Sequence, residues 1–150
     1  MNLVNILNEN LIKVPLTSTT KTDVLVEMVD ILADGKNWDA TQKAQVLKAV
    51  EERESLGSTG IGKGICIPHA QSEAIDSICL AVGISKEAID FDSPDNLKSK
   101  LFFLVVAPVS AASAHVEVLA TIARSCSSAT FRRLLEQSKS SKEVLQLFAE

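Results

Sequence analysis

The chain is poor in several things at once. It has no tyrosine, one tryptophan, two histidines, three cysteines, four prolines and six glycines in 150 residues. No apolar run approaches the roughly 20 residues that span a bilayer, so a membrane helix is excluded. The opening MNLVNILNEN lacks the basic region and long apolar core of a secretory leader, and the expected location is the cytoplasm. Lysine and arginine are scattered and the net charge is −4, so there is no basic stripe to follow a phosphate backbone and nucleic acid is not an expected partner. Cys66, Cys79 and Cys126 are odd in number and far apart, which points to reduced core thiols and away from a disulfide framework or a metal cluster. Internal repeats and low-complexity linkers are missing, and residues 1–150 read as one domain large enough to bury a core.

What is present is concentrated. Four of the six glycines and one of the two histidines fall between Arg53 and Ala70, in RESLGSTGIGKGICIPHA. Gly57, Gly60, Gly62 and Gly64 allow main chain to turn sharply and approach a ligand closely. Successive backbone N–H groups in such a run can converge on an anion. Gly64 to Ile67 has the look of a short buried strand. Pro68 is expected to stop it, since proline gives a sheet no donor and holds its predecessor extended. His69 is then expected just past a strand end, on a constrained backbone. An imidazole there is a candidate nucleophile. Phosphoryl oxygens held on it would meet donors from Arg53, Ser58, Thr59 and Gly60, the arginine with its planar fork of N–H groups. Alone, a glycine-rich loop beside a histidine is more often a tight surface turn.

The whole string is more specific. It resembles the active-site signature of the PTS EIIA type-2 domains, the fructose, mannitol and nitrogen-regulatory enzymes IIA of the phosphoenolpyruvate-dependent phosphotransferase system. In that pattern an acidic residue, here Glu54, precedes a spacer and a hydrophobic-Gly pair, here Ile61-Gly62. The run Ile65-Cys66-Ile67-Pro68-His69 and a small Ala70 complete it. Cys66 stands where the family usually has alanine, a small-for-small exchange. The resemblance implies that His69 is the phosphorylated residue, and that Arg53, sixteen positions earlier, lies near it.

The rest of the chain fits an α/β reading. Leu3, Ile6 and Leu7 suggest a helical turn, and Leu11–Leu16 an extended piece. Thr20 is a plausible N-cap for a helix carrying Val24, Leu25, Met28, Val29, Ile31 and Leu32, with Gly35 just past its end. Asp39 or Thr41 caps a second helix, running to about Arg53. Trp38 between them reads as a packing anchor. Ser77–Ile84 is a predicted strand, 88–100 a polar connection with a turn cluster, and Leu101–Ala107 a central strand apolar on both faces. Pro108 stops that strand as Pro68 stops the earlier one, which would set both ends at one edge of the sheet. Ser113 is the expected N-cap of the next helix, with His115 in its first turn. The resemblance extends to His115, which matches the family's second histidine, although Val116 stands where a longer side chain is usual. Two further helices carry Phe131, Leu134 and Leu135, then Val144, Leu145 and Phe148, the last opening with a capping box at Ser140-x-x-Glu143.

The fold this implies is an α/β/α sandwich, a mixed central sheet flanked by helices. The implied activity is that of a phosphotransferase component. An HPr-type histidine phosphocarrier protein would donate to His69, and an enzyme IIB or a regulated target protein would receive the group or read the phosphorylated state. His115 would support the phosphoryl group as a donor. No metal and no organic cofactor is called for. A chain without a membrane domain looks most like the nitrogen-regulatory branch. A sugar-specific enzyme IIA and a non-transferring regulatory module are the alternatives. A metal site on His69 and His115 lacks a third ligand at a recognised spacing.

Overall fold

The computed structural model describes residues 2–150; Met1 lies outside the described residues. Among the described residues five α-helices flank one sheet: α1 Lys21–Lys36, α2 Ala40–Ser55, α3 Ala112–Ser125, α4 Ala129–Gln137 and α5 Ser141–Ala149. The strands are β1 Ile12–Lys13, β2 Gly60–Gly62, β3 Ile65–Cys66, β4 His69–Gln71, β5 Cys79–Ile89 and β6 Ser99–Ala107. The order is β1-β5-β6-β3-β2, with β4 also on β6. The sheet is mixed: β6 runs antiparallel to β5 but parallel to β3 and β4.

β6 is the spine. Leu101 to Ala107 are all buried, as a strand covered on both faces requires. Successive residues point to opposite faces. Phe102 pairs with Gly83, where a Cβ would come within 2.6 Å of Met28 Sδ, so α1 lies close on that face. Phe103 meets Phe148 of α5 edge-on, and Phe148 meets Phe131 of α4, on the other face. Cys66, Cys79 and Cys126 are buried free thiols, each pushed up to about 12 chiefly by burial, so they pack as small apolar groups. Trp38 packs partly buried against the core. Among the described residues no helix is long and apolar enough to cross a membrane.

Local signals set most helix starts. Thr20 Oγ1 accepts from Asp23 N, and Asp39, in preference to Thr41, forms a full capping box with Gln42. Ser140 accepts from Glu143 N, but Glu143 reaches back to Lys139 N, one residue before the expected partner.

Four expectations need correction. Gly35 lies inside α1, where a Cβ would strike Leu11 Cδ2 at 2.5 Å; the left-handed C-cap is Asn37, at φ 57°. Ser113 does not cap α3, because a 3-10 turn at Val109–Ala111 leads directly into the helix, and Ala111 has no side-chain cap to offer. β5 starts two residues later than predicted and continues to Ile89, past a register shift after Ile84. Pro68 interrupts its strand and does not end it. Proline removes one donor, yet the Pro68 carbonyl still accepts from Val105 N, and pairing resumes at His69. Pro68 and Pro108 therefore sit at different heights along β6.

Candidate active site

The site is assembled from three elements. His69 opens β4, with Val105 as its register partner on β6. Arg53 lies in the last turn of α2. His115 lies in the first turn of α3, as its sequence position suggested. The two imidazole rings meet edge to face, with centroids 5.6 Å apart and planes at 73°.

The His69 ring is half-buried, and its Nδ1 lies 2.7 Å from the Ile67 carbonyl oxygen. A carbonyl can only accept, so Nδ1 carries a hydrogen, and in the neutral ring the lone pair is on Nε2. His115 is buried, and among the described residues its Nε2 has no hydrogen-bond partner. Burial first, and the neighbouring His69 second, hold its pKa below the usual 6.5, so His115 is neutral at pH 7.

Arg53 Nη1 donates to the Gly57 carbonyl at 3.0 Å, closing the loop over the end of α2. Among the described residues no carboxylate pairs with its guanidinium. Arg53, His69, His115 and Leu119 line one depression of about 780 Å³. Arg53 and His69 also line a second, of about 440 Å³, with Ser58, Thr59 and Ile67. Leu56, Ile61 and Val116 stand exposed at their rims; Leu56 is 84% exposed and Val116 67%.

The structure brings Arg53, His69 and His115 together, but Ser58, Thr59 and Gly60 have other engagements. Ser58 Oγ donates to the Phe91 carbonyl and accepts from Gly60 N. The Thr59 hydroxyl and Thr59 N both donate to the Glu54 carboxylate. A Cβ at Gly60 would come within 2.1 Å of Ser93 Oγ. These residues hold the loop in place, and the Ser58 and Thr59 hydroxyls and the Thr59 and Gly60 N–H groups are committed internally. Lys21 is the residue that sequence reading passed over: its Nζ sits 3.0 Å from Glu54 Oε2. As the first residue of α1, more than thirty positions before Glu54, it gave no local signal. Among the described residues no group of three or more His, Cys, Asp or Glu is arranged to hold a metal ion.

Residues 5–150 match the family described as phosphoenolpyruvate-dependent sugar phosphotransferase system, EIIA 2. The chain belongs to that family. It is 33% identical over 131 residues to a fructose-specific EIIA component of Haloferax volcanii, covering 87% of this chain and 84% of that protein. It is 30% identical over 151 residues to a nitrogen regulatory protein of Klebsiella oxytoca, covering 100% of this chain and 91% of that one. A fructose-specific EIIABC component of Bacillus subtilis is also 30% identical, over 98% of this chain, but the chain spans only 23% of its length. The crystal structure of the nitrogen regulatory protein IIA-Ntr from Neisseria meningitidis superposes with a TM-score of 0.89 at 28% identity, covering 97% of this chain and 98% of that one. The fold class expected from the resemblance, a mixed sheet flanked by helices, is the one observed.

Proposed function

We propose that this phosphotransferase-system component carries a phosphoryl group on Nε2 of His69, received from an HPr-type phosphocarrier protein. The observation that supports this reading most is the Nδ1 contact with the Ile67 carbonyl. It leaves Nε2 as the basic, nucleophilic nitrogen without a proton transfer. The Nε2 lone pair attacks phosphorus held on the donor's phosphohistidine. The new N–P bond forms as the donor's N–P bond breaks, and the donor imidazole recovers the electron pair. The three phosphoryl oxygens stay on phosphorus, and water takes no part. The phosphorylated ring keeps Nδ1–H and is cationic, so it can later depart as a neutral imidazole. That keeps the carried group exchangeable.

Two side chains answer the charge of the phosphoryl group. Arg53 offers guanidinium N–H groups beyond the one on Gly57, at the mouth of the same depression. His115 has a ring nitrogen without a partner, and a phosphoryl oxygen would supply one. The site draws on these two, while Ser58, Thr59 and Gly60 shape the loop. Leu56, Ile61 and Val116 form the apolar rim on which a phosphocarrier protein, and then an enzyme IIB or a regulated target, would seat. The branch we favour is nitrogen-regulatory, on the likeness to IIA-Ntr over nearly the full length. The fructose-specific relative keeps a sugar-transport role as the second reading.

The test is phosphorylation by enzyme I, an HPr-type protein and phosphoenolpyruvate. One label is expected, labile in acid and stable in base, and His69→Ala should abolish it. Phosphorus–nitrogen coupling should assign it to Nε2. An acid-stable label on Ser58 or Thr59, a label on His115, or full labelling of the His69→Ala variant would overturn the assignment.

A further inference from the structure

An unbroken series of contacts runs from Lys21 to the His69 ring. Lys21 Nζ lies 3.0 Å from Glu54 Oε2. The same carboxylate, its side chain 4% exposed, accepts from Thr59 N at 2.9 Å and from the Thr59 hydroxyl. The Thr59 carbonyl accepts from Ile67 N at 3.0 Å. The Ile67 carbonyl accepts the His69 Nδ1 hydrogen at 2.7 Å. Lys21 also stands 4.9 Å over the Phe91 ring and 3.5 Å from Asp92 Oδ2, and the Phe91 carbonyl receives the Ser58 hydroxyl. Both segments that flank Ser58-Thr59 are thereby tied to one ammonium group.

We infer that Lys21 is a positioning residue for His69, acting through Glu54, Thr59 and Ile67; this rests on the reading of His69 as the phosphoryl acceptor. Glu54 is buried, and both of its oxygens accept bonds from Thr59. A buried carboxylate that loses its countercharge is strongly unfavourable, and the group must move toward water or take up a proton. Either response loosens Thr59. The next contact is main chain to main chain, so a shift at Thr59 displaces Ile67, and the Ile67 carbonyl is what holds the His69 ring and its tautomer. The action is geometric: each step passes through a residue's backbone and no charge needs to travel.

A second pair in the same molecule provides the control. Glu27 in α1 is also buried, also grips a loop through Thr17 and Ser18, and also meets a lysine, Lys13, at 2.6 Å. That pair holds the segment before α1 and is outside the series that leads to His69.

The experiment compares Lys21→Met, Lys21→Arg and Lys13→Met by 15N NMR of the His69 ring and by single-turnover phosphorylation. Lys21→Met is expected to move the His69 ring shifts away from a pure Nδ1–H tautomer and to slow phosphorylation about tenfold to a hundredfold, the scale of small misplacements at reacting groups. Lys21→Arg should restore most of both. Lys13→Met should lower the melting temperature and leave both readouts as in the parent. Unchanged ring shifts and rate in Lys21→Met, or the same changes in Lys13→Met, would overturn the inference. If Lys21→Met does not fold, Thr59→Val decides by the same readouts: it should shift the His69 ring in the same direction, and parental shifts would overturn the proposal. The ring shifts need no phosphoryl donor, so failure of the parent to be labelled would count against His69 as acceptor and not against Lys21.

Discussion

His115 is the residue whose chemistry is most exposed to test. It is buried and held neutral, and its Nε2 has no partner among the described residues. It needs no substitute for folding, only a neutral group of similar shape. His115→Leu, which keeps the bulk and has no donor, is therefore expected to accept phosphate on His69 and to pass it on more slowly. Removing a positioned donor elsewhere costs roughly 2.7–4 kcal/mol in the transition state, and a partly open site should show less. At about 1.4 kcal/mol per tenfold, onward transfer should slow roughly tenfold to a hundredfold. Single-turnover transfer to an acceptor protein measures it; an unchanged rate would remove His115 from the transfer step. The proximity of His115 to His69 was legible from its place in the chain only through the family resemblance. The missing partner on Nε2 was not legible at all, since burial of that atom depends on packing between segments distant in sequence.

At the scale of elements, the segment from the end of α2 to β4 carries the most information per residue. The glycines near His69 were visible in the sequence, but their use was not. Gly62 and Gly64 take positive φ, 91° and 80°, around Lys63 at 58°, and so make the tight turn between β2 and β3. Gly60 is there for closeness to Ser93. Gly60→Ala should push the loop off Ser93 and weaken the Thr59 contacts that follow. Reduced phosphorylation in a chain that remains folded is the expected result. Normal labelling and an unchanged melt would mean that Ser93 swings aside. Polar composition suggested that Ser58 and Thr59 face a ligand. Whether a hydroxyl faces a ligand or a buried carbonyl is decided by Phe91 and Glu54, and Phe91 lies 33 positions from Ser58. In the same way Gly35 reads as a helix stop until Leu11 is seen against it. Caps such as Thr20 and Asp39 were legible because their partners are three residues away.

For the molecule as a whole, two groups set an acid limit. Burial raises the Glu27 carboxyl, but Lys13, with bonds from Ser18 and Thr17, outweighs it and holds the group at about 2, against an ordinary 4.5. Its contribution to stability is full above 4.5 and is lost as the pH falls through about 2. His115 resists protonation in the folded chain, so unfolding becomes easier as the pH drops below 6.5, where the unfolded imidazole gains its proton. Melting temperatures should thus fall in two stages on acidification. His115→Gln should flatten the upper stage and Glu27→Gln the lower. An upper stage that survives in His115→Gln would assign that proton to another group.

The oxygen that orients the His69 ring belongs to the main chain. Every residue type supplies that atom, so no exchange of the side chain at position 67 can delete it. If His69 is the acceptor, as proposed, control of which nitrogen reacts is in this sense written outside the genetic alphabet. Drift at position 67 is free to alter packing while the ring nitrogen that faces the carbonyl stays the same. Mutations that change it must act at a distance, by bending the path that carries the carbonyl: Pro68, which restricts the conformation of position 67, and Thr59, whose carbonyl holds the Ile67 N–H.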